Sequence, residues 1–238
     1  VFNCFDESAL EMALKLAGTS QNASDPAELT ALTVDDRQSD LFLKHLTAVG
    51  YHHVARIQCN QKIDLRFNPL TVSDLISTYI KQEGQQLVFL GRQGGAGDNR
   101  QTGFLVAERL GWPCIREVTA VVRDESSGGL KVTSRIDGAT LVQTVKLPMV
   151  LIAGHCIDSP YLRVPTLKQK LKAKNKPVTI LTNTRLGIDD DTLINNGKTL
   201  IDLQRPQANR QCIFLEGKNP REQAKRLYAE HLKQVFTL

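Results

Sequence analysis

The residues best suited to bind a ligand form a glycine-rich loop, Gly91-Arg92-Gln93-Gly94-Gly95-Ala96-Gly97-Asp98-Asn99-Arg100-Gln101-Thr102-Gly103. The loop follows a short apolar segment typical of a buried strand and runs directly into a segment with helical spacing. Glycines let the backbone turn sharply and approach a ligand without a Cβ in the way. The start of a helix adds N–H donors and partial positive charge. The loop therefore indicates a phosphate or adenine-nucleotide site at the carboxyl end of a parallel strand.

The loop does not match two common phosphate-binding motifs. A Walker A motif needs Gly-Lys-Ser/Thr at its end, and the dinucleotide fingerprint that begins at Gly95-Ala96-Gly97 fails at Arg100. Asp98 with Gln101 fits an acidic variant of the capping box, so the helix is predicted to begin near Asp98. An ordinary strand-to-helix turn that is rich in glycine is the alternative interpretation.

Other reactive side chains do not form a recognisable catalytic or metal-binding pattern. His52 and His53 are neighbours on a predicted strand and point to opposite faces, which is poor geometry for a shared metal. His155 and Cys156 are adjacent, and adjacent residues rarely form the hydrogen bond that activates a nucleophile. The five cysteines are widely spaced without a CxxC pair, which argues against a zinc-thiolate site.

Composition is that of a globular protein, with 41% hydrophobic and 23% charged residues in a chain of 238. A membrane-spanning apolar run and a signal peptide are not visible, so we expect a cytoplasmic protein, or one of the mitochondrial matrix if a transit peptide has been removed. A net charge of +5 is a weak signal. Nucleic-acid binding would rest on that charge alone, and aromatic residues at 5% do not support it.

The hydrophobic spacing alternates between strand and helix over most of the chain, which predicts an α/β fold with an open, mostly parallel, Rossmann-like sheet and flanking helices. Residues 113–147 are predicted to form an antiparallel insertion, with turns at residues 126–129 and 137–138. We expect a nucleotide-binding domain over residues 1–184 and a C-terminal arm over residues 185–238. The arm ends in an amphipathic helix that we expect to contact a partner subunit. Predicted strands are residues 27–34, 53–59, 86–90, 149–154 and 178–181, and predicted helices begin near Asp6, Leu41, Leu70, Asp98 and Pro220.

Four segments in the same order resemble the electron transfer flavoprotein β-subunit family. They are Gly91-Arg92-Gln93 followed by Gln101-Thr102-Gly103, the N-terminal Asn3-Cys4-Phe5-Asp6-Glu7-Ser8-Ala9-Leu10, the strand entry Leu147-Pro148-Met149-Val150, and residues 160–177 with Arg163, Leu167 and Lys172-Ala173-Lys174. The chain departs from the family at Cys4, Ala96, Arg100 and Val164. The family's opening strand is not found before Val1, so we expect an apolar gap in the sheet and an incomplete N-terminus.

The resemblance implies an electron carrier rather than an enzyme, so no catalytic residues are expected. It implies a heterodimer with an α subunit that shares an FAD, and docking of a flavin-containing dehydrogenase such as an acyl-CoA dehydrogenase. Neither nucleic acid nor membrane insertion is implied. The implied nucleotide, AMP or a second FAD, would be held by the backbone N–H groups of residues 100–102 and by the other residues of the site. The full implied set is Asn3, Cys4, Phe5, Asp6, Val34, Gly91, Arg92, Gln93, Gly94, Gly95, Ala96, Gly97, Asp98, Asn99, Arg100, Gln101 and Thr102.

Residues 160–177, here called the lysine-rich segment, resemble the loop by which the family recognises dehydrogenases. The resemblance implies that Arg163, Leu167 and Lys172 contact the partner, with Leu167 as the apolar anchor. Two alternatives stay open: the segment is an ordinary solvated helix, or Leu167 packs inward beside Leu171. A different function class is also open for the whole chain, an adenine-nucleotide sensor of the universal-stress type with no redox role.

Overall fold

The computed structural model describes residues 3–18, 27–34, 37–59, 65, 67–94, 100–124, 126–155, 161–195, 201–205, 207 and 212–233. These residues form two compact units, residues 1–200 and residues 201–238. In the described part of the chain, no helix has both the length and the apolar character needed to cross a membrane.

The first unit alternates helices and strands as the hydrophobic spacing predicts. Its helices are α1 (Cys4–Gly18), α2 (Asp40–Val49), α3 (Pro69–Glu83), α4 (Thr102–Leu110), α5 (Leu167–Lys174) and α6 (Asp190–Asn195). Its strands are β1 (Thr30–Val34), β2 (His53–Gln58), β3 (Leu87–Gly91), β4 (Cys114–Asp124), β5 (Gly129–Ile136), β6 (Ala139–Val145), β7 (Met149–Ala153) and β8 (Thr179–Thr182).

The strands form two sheets. The first has the order β1-β2-β8 and is entirely parallel, with Thr30 opposite His53 and Ala55 opposite Thr179. The second has the order β3-β7-β4-β5-β6, in which β3, β7 and β4 are parallel. The predicted α/β class with mostly parallel strands is confirmed, and the parallel strands are divided between two sheets.

The antiparallel insertion is also confirmed. Strands β4, β5 and β6 pair as a meander. Asp137 and Gly138, which join β5 to β6, have φ of +50° and +80°. Two successive positive φ angles match the right-handed twist of a two-residue hairpin, which is why this Asp-Gly pair marks the turn in the sequence.

The helices bury one face each against the sheets. Helix α1 places Ala9, Met12 and Leu16 on the second sheet with Val118 and Leu151. Acidic residues in its first turn and Lys15 in its last complement the helix dipole. Helix α2 packs on β1 and β2, and α3 and α4 cover the opposite face of the two sheets. Leu186 and Leu193, which follow the predicted boundary at residue 184, are buried in the cluster around Ile57 and Leu75.

A large cavity of about 1510 Å³ is lined by residues of both β1 and β3. Within the described residues, each of these strands pairs on one side only, β1 with β2 and β3 with β7. Helices α1, α2 and α3 supply the remaining walls, which include Leu10, Leu46 and Ile80. Asn3, Cys4, Phe5 and Asp6 also line this cavity, so the start of α1 borders it.

The second unit holds α7 (Pro220–Leu227), which continues as one π-helical turn over Tyr228–Leu232. Asn219 caps α7, because its side chain accepts a hydrogen bond from the Glu222 N–H at 3.0 Å. The side chains of α7 are not buried, and Ile201, Leu203, Ile213 and Phe214 expose at least 66% of their surface. The predicted terminal helix is confirmed in its first part, while residues 234–236 of that prediction lie outside the described residues.

Arg56 is the most deeply buried charge in the first sheet. Only 2% of its side chain is exposed, its Nε lies 2.7 Å from Oδ1 of Asp40, and its Nη1 donates to Gln58 at 3.0 Å. Asp40→Asn would leave the buried guanidinium without its counter-charge, so we expect the free energy of unfolding to fall by about 2–3 kcal/mol.

Urea unfolding of Asp40→Asn, Arg56→Met and the double variant measures this effect. Because the double variant has no unpaired charge, it should be more stable than Asp40→Asn alone. A double variant that is less stable by the sum of the two single effects would contradict the pairing.

Candidate functional site

The first turn of α1 is joined to the chain that leaves β3. Nδ2 of Asn3 donates to the carbonyl of Gln93 at 2.6 Å, and Oδ1 of Asp6 accepts from the Gly91 N–H at 3.1 Å. Oδ1 of Asn3 also accepts from the Phe5 N–H at 2.9 Å, which fixes the entry into the helix. Two segments about 85 residues apart in sequence are therefore held against each other by side-chain-to-backbone bonds.

Gly91 has no room for a side chain. A Cβ built on it would lie 2.8 Å from the backbone nitrogen of Asp6 and 2.9 Å from the carbonyl carbon of Phe5. Both atoms are backbone, so neither can move aside as the end of a side chain could. Glycine is required here because two backbones touch, rather than because of a special φ angle.

Arg92 turns back over the site. Its guanidinium carbon lies 4.3 Å from the centroid of the Phe5 ring, and its Nη1 lies 3.1 and 3.2 Å from the two oxygens of Glu117. Glu117 has φ of +54° and lies where the register between β4 and β7 shifts. Nε of Arg92 and Oε1 of Gln93 are buried and have no hydrogen-bond partner among the described residues. The loop therefore contains a buried donor and a buried acceptor that a polar ligand can satisfy.

A small cavity of about 160 Å³ lies at the point where these segments meet the start of α4. It brings together the three predicted segments: the start of α1, the end of β3 and the start of α4. Residues 95–99 of the predicted set lie outside the described residues. The cavity is lined by Asp6, Leu90, Gly91, Arg92, Gln93, Gly94, Arg100, Gln101 and Thr102.

Helix α4 begins later than the sequence predicts. Its first residue is Thr102, and its N-cap is Gln101, whose side chain makes no capping hydrogen bond. The predicted start near Asp98 is wrong because Arg100 has φ of +54°, which a continuing right-handed helix does not allow. The first helical bond runs from the Leu105 N–H to the Gln101 carbonyl at 3.0 Å, so the N–H groups of residues 102–104 have no acceptor within the helix.

The other residues of the predicted site lie at its border or away from it. Cys4 is exposed, and it lines the large cavity together with Phe5. Val34 ends β1 and packs against the apolar cluster of Ile57 and Leu75, and it does not line the small cavity. Sequence reasoning missed Glu117, because its contact with Arg92 depends on an irregular strand that no local pattern reveals.

The lysine-rich segment contains α5. Thr166 and Gln169 form a capping box at its start: the Gln169 side chain accepts from the Thr166 N–H at 2.8 Å. The side chain of Leu167 is 72% exposed and that of Leu171 is 61% exposed, so the inward-packing alternative for Leu167 is wrong. Ala173 is the only buried residue of α5, which packs on α2. The lysines at positions 168, 170, 172, 174 and 176 are all exposed.

Arg163 does not project freely from this segment. Its Nη2 lies 2.7 Å from Oε1 of Glu11, and its Nε lies 3.2 and 3.1 Å from the two oxygens of the same carboxylate. Its backbone N–H donates to the same carboxylate at 3.1 Å. Hydrogen bonding to Glu11 is the main cause that raises the pKa of Arg163.

Comparison with known proteins identifies several relatives. The family model described as the electron transfer flavoprotein domain matches residues 1–186. A putative electron transfer flavoprotein subunit of Escherichia coli K12, YgcR, is 27% identical over 227 residues, which cover 95% of this chain and 80% of that protein. The mitochondrial electron transfer flavoprotein β subunit of Arabidopsis thaliana is 30% identical over 187 residues, 79% of this chain and 70% of that one. The human β subunit is 28% identical over the same length and the same shares.

Asp6 gives the site a pH dependence. Burial raises the pKa of its carboxyl from 3.8 to about 6, and the hydrogen bond from Gly91 opposes this rise. Because the folded protein then binds a proton that the unfolded chain has released, this group makes stability fall as the pH rises from about 4 to 6. Asp6→Asn keeps an acceptor for Gly91 and cannot ionise. We expect it to be more stable than the wild type above pH 6 by up to about 2 kcal/mol.

Urea unfolding of wild type and Asp6→Asn between pH 4 and 7.5 measures the difference. Glu216→Gln, which removes an exposed carboxylate, is the control and should shift stability equally at each pH. A difference between wild type and Asp6→Asn that stays constant across this range would contradict the raised pKa.

Proposed function

Because this chain belongs to the electron transfer flavoprotein β-subunit family, we propose that it holds an adenine nucleotide in the small cavity and carries electrons as one half of a heterodimer with an α subunit. The nucleotide is AMP or the adenosine diphosphate half of a second FAD. Both present the same adenosine phosphate to this chain. A flavin dehydrogenase delivers the electrons, and the redox FAD is shared with the α subunit.

The observation that carries the nucleotide assignment is the convergence of three backbone segments on one small cavity. The N–H groups at the start of α4 face no acceptor within the helix, and the helix dipole adds partial positive charge there. Arg92 lines the cavity beside them, with its charge paired to Glu117. The buried, unpartnered Nε of Arg92 and Oε1 of Gln93 offer a donor and an acceptor to the ligand.

When the bound nucleotide is a flavin, it supplies the redox chemistry. The residues of this chain bind and orient the nucleotide. Asn3 and Asp6 hold the end of β3 in place, so that the cavity keeps its shape. Arg92 lines the cavity, and its guanidinium is held over the Phe5 ring and against Glu117. None of these residues is proposed to make or break a covalent bond.

The second unit supports the assignment of an α subunit as partner. Its described residues expose apolar side chains, among them Ile201, Phe214 and Tyr228, and α7 buries no residue against its own unit. Exposed apolar side chains in this number are typical of a surface that another chain covers.

The lysine-rich segment supports a dehydrogenase with an acidic surface as the electron donor. Exposed Leu167 provides an apolar anchor, and the surrounding lysines, including Lys172, attract negative charge. Such an arrangement combines one contact of high affinity with long-range steering that weakens as salt increases.

The nucleotide assignment predicts that acid denaturation of the wild-type heterodimer releases close to one adenine nucleotide per heterodimer in addition to the shared FAD. Gly91→Ala should lower this amount at least tenfold, because a Cβ at Gly91 displaces the start of α1. Gly18→Ala adds the same methyl group where there is no atom within 4 Å, and it should leave the nucleotide content unchanged.

Chromatography of the acid supernatant measures the nucleotide, and circular dichroism shows whether each variant is folded. A folded wild-type heterodimer that releases only the nucleotide of the shared FAD would contradict the assignment. So would a folded Gly91→Ala variant with full nucleotide content.

The docking assignment predicts that Leu167→Ala lowers the rate of electron transfer from the dehydrogenase at least tenfold at limiting concentration. The melting temperature should stay unchanged because the side chain is 72% exposed. Leu41→Ala truncates a leucine on α2 that is 77% exposed and serves as the control. Equal transfer rates for both variants and the wild type would remove Leu167 from the docking surface.

A further inference from the structure

The first part of the lysine-rich segment alternates between anchored and exposed residues. Leu162 is 7% exposed and packs in the cluster beneath α2, and Pro165 is also buried. Tyr161, which precedes Leu162, exposes 75% of its surface, and Val164, which precedes Pro165, exposes 80%. The backbone is therefore held at two points, and the side chains on either side are presented outward.

A third attachment joins Arg163 of this segment to Glu11 of α1. Glu11 lies on the buried face of α1, with a side chain that is 8% exposed, and both of its oxygens are taken by Arg163. A carboxylate buried to this extent is stable only when it is paired and hydrogen-bonded. Because the backbone N–H of Arg163 donates to the same group, the pair fixes the main chain as well as the side chain.

A second element lies beside the same residue. His45 of α2 lies close to the backbone of Arg163, whose influence opposes the lowering of the His45 pKa by burial. Arg163 is thus attached to α1 through its side chain and its N–H, and its backbone lies close to α2. The Nε and Nη2 atoms of the guanidinium bond to the buried Glu11 carboxylate, although 46% of the Arg163 side chain is exposed.

We propose that Arg163 is a positioning residue for partner docking, which acts through Glu11 and does not itself contact the dehydrogenase. The pair sets the position of residues 161–167 relative to α1, so that Tyr161, Val164 and Leu167 form one outward-facing apolar row. This proposal rests on the docking function proposed above. It replaces the direct contact that the resemblance implied for Arg163 with an indirect role.

A double-mutant cycle in the purified heterodimer separates the two roles. The variants are Glu11→Gln, Arg163→Met and the two combined, with Arg116→Met as the control for loss of an exposed arginine. Steady-state electron transfer gives KM for the dehydrogenase and kcat. Trypsin cleavage at the lysines of α5, measured in the heterodimer without the dehydrogenase, reports on the position of the segment independently of electron transfer.

We expect Glu11→Gln and Arg163→Met each to raise KM about tenfold with kcat changed less than twofold, and each to accelerate trypsin cleavage. The double variant should be no worse than either single variant, because both substitutions break one interaction. Arg163→Lys, which keeps a charge and a donor for Glu11, should recover part of both effects. Arg116→Met should match the wild type in both measurements.

A raised KM for Arg163→Met together with a wild-type KM for Glu11→Gln would overturn the proposal, since it would place Arg163 in direct contact with the partner. Faster cleavage in both variants with unchanged KM would overturn the role in docking. It would show that the pair holds the segment in place without affecting the binding of the dehydrogenase. In that case the Leu167→Ala variant shows which proposal is wrong. A normal transfer rate for Leu167→Ala would contradict the docking function of the whole segment. A slow rate would contradict only the positioning role of Arg163.

Discussion

The contact between the Gly91 backbone and the first turn of α1 is the constraint on which both functional surfaces depend. No side chain fits between the two backbones, so the carboxyl end of β3 and the start of α1 have one relative position. Asn3 and Asp6 add directional bonds to that contact. The rigidity of this helix of 15 residues then fixes the place of every residue farther along α1 relative to the small cavity.

The same contact includes a carboxyl with a raised pKa. Asp6 accepts from Gly91 where a neutral acceptor would also serve, and its burial lowers stability at neutral pH. A partly buried acid beside the free N–H groups at the start of α4 adds negative charge to the cavity when it ionises.

The sequence predicted most of the fold because its signals are local. Apolar spacing located α1, α2, α3, α7 and the strands but not the short helix α6, and Asp137-Gly138 located the hairpin turn. The start of α4 was predicted wrongly because the Asp98 and Gln101 pattern fits a capping box, while the left-handed backbone at Arg100 depends on surroundings that the pattern does not contain. The pairing of Glu11 with Arg163 spans 152 residues, and only the packing of α1, α2 and α5 brings the two together. Sequence reasoning therefore found the segments of each surface but not the interactions that hold them.

Helix α1 connects the proposed nucleotide site with the proposed docking segment. Its first turn borders the small cavity through Asp6, and a residue one to two turns later, Glu11, holds the lysine-rich segment. An electron carrier must place its partner at a set distance and orientation from its bound cofactor, since electron transfer depends on both. A single helix that touches both sites provides that alignment without a moving part, because packed helices resist deformation. The buried Glu11 carboxylate then has a reason to lie on the buried face of α1: it fixes the proposed docking segment to the element that also shapes the proposed nucleotide site.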